Sequence, residues 1–179
     1  MAFTMGRVPA YEELIAESDH PQIRMFNAST VTAVEPQYDI DGEWTLCSPE
    51  TVPSYSAVAF FFARKLHAEL GVPIGVIKTA WGGKSLHTDF RPPSSGPYEF
   101  NEGQLESLKK QGKDIDQAKA DRAMASGHYY RLMLDHVNKV LKDIKRVCPA
   151  YDSETGHELA GFVWFQGWND MYNEEARDQ

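Results

Sequence analysis

The chain has 179 residues, of which 42% are hydrophobic, and carries a formal net charge of −8 with a pI near 5.2. This size and apolar content suit one globular domain and argue against intrinsic disorder. The acidic balance argues against nucleic acid as a partner, because phosphate binding needs a basic surface. No apolar run approaches the roughly 20 residues of a membrane helix, so no membrane partner is expected.

The hydrophobic pattern predicts alternating helices and strands. In chain order it predicts a short helix at 11–17, a strand at 22–27, a loop or edge segment at 31–44, a helix at 54–70, a buried strand at 73–79, a surface excursion at 86–103, a solvated helical region at 102–125, a helix at 127–148 and a buried strand at 159–165. Gly71 and Pro149 end the two long helices. This order predicts an α/β fold, in which helices pack on a parallel sheet.

The helix at 54–70 has a mostly apolar sequence, so its inward face can be assigned from spacing. That predicted face consists of Val58, Phe61, Phe62 and Leu66. The two cysteines, Cys47 and Cys148, fit no metal-ligand spacing. They could form one disulfide or remain two free thiols, and free thiols are favoured.

Polar loops follow the two predicted buried strands. WGGKS occupies 81–85 after the first, and QGWND occupies 166–170 after the second. Because the carboxyl ends of parallel strands share one edge of a sheet, we expect the loops to meet there. Paired glycines and amide side chains supply the N–H donors of an oxyanion hole. Alternatively, Gly82 and Gly83 make only a tight turn, and Gln166 and Asn169 only hold one in place.

The sequence gives less support to two other kinds of site, a phosphate-binding loop and a serine nucleophile with a histidine base. Gly83-Lys84-Ser85 is typical of the end of a phosphate-binding loop, but Lys78 stands where that motif needs glycine. No Gly-x-Ser-x-Gly nucleophile motif occurs. His87, with Asp89, lies on the expected edge and could contact substrate, or it could be a solvated loop residue. The remaining candidates for a base are disfavoured, since they lie in helices or at the opposite edge of the sheet: His67, His136 and His157.

The series CSPETVPSYSAVAFFFARKLHAELGVPIGVIKTAWGGKS, followed by GFVWFQGWND, resembles the sialate O-acetylesterase-like family of SGNH hydrolases. The resemblance covers nearly the whole chain from about residue 11. It implies a flavodoxin-like three-layer α/β/α fold with a parallel sheet, present as one partial domain over 1–179 and incomplete at both ends. It also implies an enzyme that removes O-acetyl groups from sugars, with an acetylated carbohydrate as partner and with no metal or organic cofactor.

By this resemblance, the oxyanion hole combines a glycine block with an amide block. The glycine block is Trp81-Gly82-Gly83, and the amide block is Gln166 with Asn169 or Asp170. Relatives commonly have Glu after Gln-Gly, whereas this chain has Trp168, which leaves open whether Asn169 or Asp170 takes the polar role. The residues expected to contact substrate are Trp81, Lys84, His87, Trp168 and Asp170.

The family's nucleophile and base have no counterparts in this chain. The family's serine lies in a Gly-Gln-Ser-Asn-Met motif, and Met1-Ala-Phe-Thr-Met resembles the stretch that begins with that motif's methionine. The family's Asp-x-x-His motif does not occur. The chain is therefore expected to be an inactive part of a serine esterase, from a periplasmic or extracellular parent. The alternative is a non-catalytic carbohydrate-binding domain with the same fold. Oligomeric state and the particular sugar stay open.

Overall fold

The structure, a computed structural model, describes residues 3–28, 42–167 and 169–171. Helices and strands alternate through much of this part of the chain, as the pattern predicts. In chain order the elements are α1 (Tyr11–Ala16), β1 (His20–Ala28), β2 (Gly42–Cys47), α2 (Ala57–Leu70), β3 (Ile74–Lys78), α3 (Glu102–Lys110), α4 (Ile115–Ala125), α5 (His128–Lys142) and α6 (Ile144–Val147). Residues 31–41 of the predicted loop or edge segment lie outside the described residues.

The sheet of the described residues has the strand order β2-β1-β3. β1 pairs with β3 in parallel, from Ile23 opposite Ile74 to Asn27 opposite Lys78. β1 pairs with β2 in the antiparallel direction. The molecule is therefore a mixed α/β protein with one parallel strand pair, which confirms the α/β class at this level.

Helix α2 ends at Leu70 as the sequence predicts, but it begins at Ala57, three residues later than predicted. Ser56 accepts a hydrogen bond from the Ala59 N–H at its amino end, and Gly71 has a positive φ of 65° at its carboxyl end. The predicted inward face is wrong by part of a turn. Phe60 is fully buried with Ala59 and Ala63, whereas Phe62 is 43% exposed. Three consecutive phenylalanines fit several helical faces, so spacing alone could not decide which one points inward.

The larger core cluster joins α2 to one side of β1 and β2. Its members are Met5, Ile23, Met25, Cys47, Val52, Tyr55, Ala57, Ala59, Phe60 and Ala63. The Tyr55 hydroxyl donates a 2.6 Å hydrogen bond to the Thr45 carbonyl, which satisfies a buried polar group inside this cluster. Burial raises the pKa of the Cys47 thiol to about 11. Cys47 and Cys148 are both buried and both free, as favoured.

The prediction of a buried strand at 159–165 is wrong. These residues have no regular secondary structure, and Leu159, Phe162 and Phe165 are each 66% exposed. β3 is also less covered than predicted, since it is half-exposed and hydrogen-bonded to β1 alone among the described strands. An apolar run gives a segment the preference for a strand, but only backbone pairing with a neighbour forms one.

The helices that follow β3 agree with their predictions. α3 and α4 have no buried residues and are charged, as expected for a solvated region. The predicted helix at 127–148 is present as α5 and α6, which are separated at Asp143. The Asp143 carboxylate caps α6 by accepting from the Arg146 N–H at 3.2 Å. In the described ranges, no helix combines the length and the apolar character needed to span a membrane.

The chain forms two compact units. The first consists of Met1–Gly82 and Asp135–Val163, and it contains the sheet. The second consists of Gly83–Leu134 and Trp164–Gln179, and it contains α3 and α4. The assignment of the whole chain to one domain stays a prediction.

Candidate functional site

The residues after Gly83 form a turn organised around Ser85. Gly83 has a φ of +74°, which favours glycine at this position. The Ser85 Oγ accepts from the Thr88 N–H at 3.2 Å and the Asp89 N–H at 3.4 Å, and it lies 2.7 Å from the Thr88 Oγ1. The Asp89 carboxylate accepts from the Ser85 N–H at 2.9 Å. The Ser85 hydroxyl is therefore committed to shaping the turn.

The two predicted loops come together in the second unit. The Gln166 Nε2 donates to the Lys84 carbonyl at 2.6 Å. The Asp170 carboxylate accepts from the Leu86 N–H at 2.9 and 3.0 Å and from the His87 N–H at 3.3 Å. Side chains of one loop thus hold the backbone of the other, although no strand leads into Gln166.

The Leu86 and His87 N–H groups both point at one carboxylate. Consecutive backbone donors of this kind form a small anion-binding concavity, and charge strengthens each hydrogen bond. In the present structure the anion is the chain's own Asp170. The arrangement shows that this loop can bind a negatively charged oxygen.

His87 is held by a buried tyrosine. The His87 Nε2 lies 3.1 Å from the Tyr98 hydroxyl, and Tyr98 is 3% exposed. The guanidinium groups of Arg91 and Arg122 lie 5.5 and 5.3 Å from the centre of the Tyr98 ring. These cation–π contacts fix the ring that orients His87.

Lys84 points toward an aromatic ring of α5. Its Nζ lies 4.4 Å from the centre of the Tyr129 ring. Hydrogen bonding to Tyr129 raises the pKa of Lys84 above its usual value, so the ammonium stays charged at neutral pH. Lys84 therefore supplies a fixed positive charge beside the turn.

The other predicted site residues have varied positions. Trp81 and Gly82 belong to the first unit, where the Trp81 ring lies 5.5 Å from the ring of His136. His136 is half-buried, and burial lowers the pKa of its imidazole, so the ring is more enclosed than the surface position predicted for it. Asn169 is half-buried next to Asp170, and Trp168 lies outside the described residues.

Sequence reasoning missed Thr88 and Tyr98. Thr88 could have been found, because a serine three residues before a threonine and four before an aspartate is typical of a side-chain-capped turn. Tyr98 could not, since it lies in a proline-rich excursion and its contact with His87 depends on the fold of that excursion. In the part of the chain that the structure describes, no group of three or more His, Cys, Asp or Glu residues could hold a metal ion.

The hydrogen bonds of Asp170 make a direct prediction. Replacing Asp170 with alanine should accelerate amide hydrogen exchange at Leu86 and His87 about tenfold, because a hydrogen bond to a charged group contributes about 1.5 kcal/mol. Asp170→Asn keeps a carbonyl acceptor and should give a smaller acceleration. Exchange is measured by NMR, with Asp116→Ala on α4 as the control. Unchanged exchange in Asp170→Ala would show that the contact contributes nothing to loop stability.

Comparison with known proteins gives little independent support. No family model matches the chain, and no curated protein matches it. Among solved structures, the chain is similar to a carbohydrate acetylesterase from Xanthomonas citri, with 30% sequence identity and a TM-score of 0.44. The similarity covers 50% of this chain and 21% of that chain.

Proposed function

We propose that this chain is part of a carbohydrate esterase that removes O-acetyl groups from sugars, with the three-layer α/β/α fold of sialate O-acetylesterase-like SGNH hydrolases. The observation that carries the proposal is the meeting of two loops of matching composition. The Gln166 side chain contacts the Lys84 carbonyl, and Asp170 binds the Leu86 and His87 amides. The order of motifs along the sequence supports the same family.

The loops have the chemistry to hold the carbonyl oxygen of an acetyl ester. A Cβ added to Gly83 would meet nothing within 4 Å, so a ligand has room to approach the backbone there. The Asp170 carboxylate already accepts a hydrogen bond from the Leu86 N–H. Of the two residues left open by the sequence, Asn169 is therefore the one whose side-chain amide we assign to the ligand. In this proposal Gly83, Gln166 and Asn169 donate hydrogen bonds to the oxygen as negative charge develops on it.

The reaction itself would be acyl transfer through serine. A serine hydroxyl attacks the acetyl carbonyl carbon while a histidine takes its proton, and the sugar hydroxyl then leaves with that proton. Water subsequently releases acetate from the acyl-serine. We assign the nucleophile and base to no residue of this chain, because the family's serine and Asp-x-x-His motifs do not occur in it.

A second candidate function is binding of acetylated carbohydrate without chemistry. The engaged state of Ser85 and His87 favours this candidate. The Ser85 Oγ is bonded within its own turn to Thr88, and the His87 Nε2 is bonded to Tyr98.

Turnover of p-nitrophenyl acetate distinguishes a self-sufficient esterase from the proposed state. We expect the chain alone to show no turnover that saturates with substrate. Saturable turnover that Ser85→Ala abolishes would identify Ser85 as the nucleophile and contradict the assignment. Thr88→Ala is the matched control, since it disturbs the same turn but leaves the Ser85 hydroxyl in place.

A further inference from the structure

A second concave feature of the second unit lies between α3 and α4, apart from the two loops. It is a cleft of about 460 Å³, bordered by the Phe100 ring and by Leu108 of α3. Its volume lies in the range of small-molecule sites. The cleft is open to solvent, and the exposed residues of its lining are Lys113, Asp114, Gln117, Asp121, Arg122 and Ala125.

The cleft offers one aromatic face and a rim of hydrogen-bonding side chains. Gln117 and Asp121 lie one turn apart on α4, and the Gln117 Nε2 donates to the Asp121 carboxylate at 2.8 Å. The amide and the carboxylate therefore hold each other in place before any ligand binds. Arg122 adds several N–H donors on the same helix.

The charges of the lining cancel. Lys113 and Arg122 are cationic, while Asp114 and Asp121 are anionic. An anionic ligand would meet as many repulsive as attractive groups, so the cleft has no net preference for charge. A ligand with many hydroxyl groups and no charge suits this lining best, because carboxylates, amides and guanidinium groups together satisfy both donors and acceptors.

We propose that this cleft binds an uncharged sugar unit, with the C–H face of the sugar against Phe100 and its hydroxyl groups on Gln117, Asp121 and Arg122. The negative face of an aromatic ring attracts the polarised C–H groups of a sugar. The acetylated carbohydrate of the proposed function would then be a neutral glycan rather than a sialic acid, and this extension rests on that proposed function.

Tyr98 connects the cleft to the loop that carries His87. The Arg122 guanidinium, which lines the cleft, lies 5.3 Å from the centre of the Tyr98 ring, and the hydroxyl of the same tyrosine meets His87. The Phe100 ring lies 5.2 Å from the Tyr98 ring. A glycan seated on Phe100 would therefore be one side chain away from the loop that carries His87.

Titration of the intact chain with xylotetraose, followed by NMR chemical shifts, tests the cleft. We expect saturable binding that shifts Phe100 and α4 resonances and changes little between 50 and 500 mM NaCl. Phe100→Ala should weaken it about fivefold to tenfold, as expected for loss of one aromatic contact. Phe62→Ala, at an exposed phenylalanine outside the cleft, should leave it unchanged. Asp121→Asn provides a second variant in case Phe100→Ala disturbs folding.

The outcomes separate the cleft from the loops. Absence of saturable binding, or equal binding by the wild type and both cleft variants, would overturn the inference. So would tighter binding of N-acetylneuraminic acid that falls steeply with salt. If xylotetraose binds as expected but acetylated xylotetraose binds no better, the cleft stands and the proposed function fails. If acetylation strengthens binding and the cleft variants have no effect, the cleft fails alone.

Discussion

Replacing Gly127 with alanine is expected to destabilise the loop site by about 3 kcal/mol or more. Gly127 has a φ of +73°, and a Cβ on it would lie 2.3 Å from the Arg91 carbonyl oxygen. The Gly127 N–H also donates to the Thr88 carbonyl at 2.6 Å, so relief of the clash would break the contact that holds the Ser85 turn on the start of α5. Backbone strain and a lost buried hydrogen bond therefore act together.

Gly112→Ala is the matched control for this change. Gly112 has a similar φ of +66°, but an added Cβ there meets nothing within 4 Å. Only the conformational strain remains, which costs about 1–2 kcal/mol. Denaturant unfolding and amide exchange at Thr88 and Asp89 measure both variants. Equal losses for the two glycines would show that the Arg91 contact has no part in stability.

Truncation of Phe60 should produce the largest loss in the first unit. Phe60 is fully buried, with its ring 5.5 Å from that of Phe61 and next to the guanidinium of Arg64. Phe60→Ala should cost about 3–5 kcal/mol, through lost burial and the cavity left behind. That loss is comparable with the whole stability of a small domain, so much of the variant protein should be unfolded at 37 °C.

Phe62→Ala serves as the control for Phe60, because it removes the same atoms from the same helix. Phe62 is 43% exposed, so its truncation should cost less than about 1.5 kcal/mol. Urea unfolding followed by circular dichroism measures the two free energies. A larger loss at Phe62 than at Phe60 would restore the inward face that spacing predicted for α2.

Local signals predicted those parts of the fold that depend on nearby residues. Gly71 was predicted to end α2, and it does so with a positive φ of 65° that acts within one turn of the helix. β1 and β3 were also predicted, and they pair in parallel as the alternation of elements requires. The run at 159–165 shows the limit of this approach. Its composition is that of a strand, but its Trp164 ring packs edge-on against Phe90 at 5.1 Å instead of joining the described sheet.

The sequence predicted which two loops form the candidate site, but it did not predict the contacts that bring them together. The loops around Lys84 and Gln166 were expected to meet at the edge of one parallel sheet, each at the carboxyl end of a strand. They meet through a side chain on a backbone carbonyl, and through the Asp170 carboxylate on two backbone amides. Such contacts join residues far apart in sequence, and no periodicity encodes them. The contact of the Tyr98 ring with the guanidinium of Arg122 is a further case.

Binding of an acetylated glycan to the loops tests the central claim most directly. The measurement is calorimetric titration of the chain with O-acetylated xylotetraose and with the same sugar after deacetylation. We predict that the acetylated form binds at least fivefold more tightly to the wild-type chain, as one or two added hydrogen bonds would give. Gln166→Ala and Asn169→Ala should each remove this difference in affinity. Both variants should still bind the deacetylated xylotetraose. Equal affinity for the two sugars in the wild-type chain would contradict an acetyl-binding role for these loops.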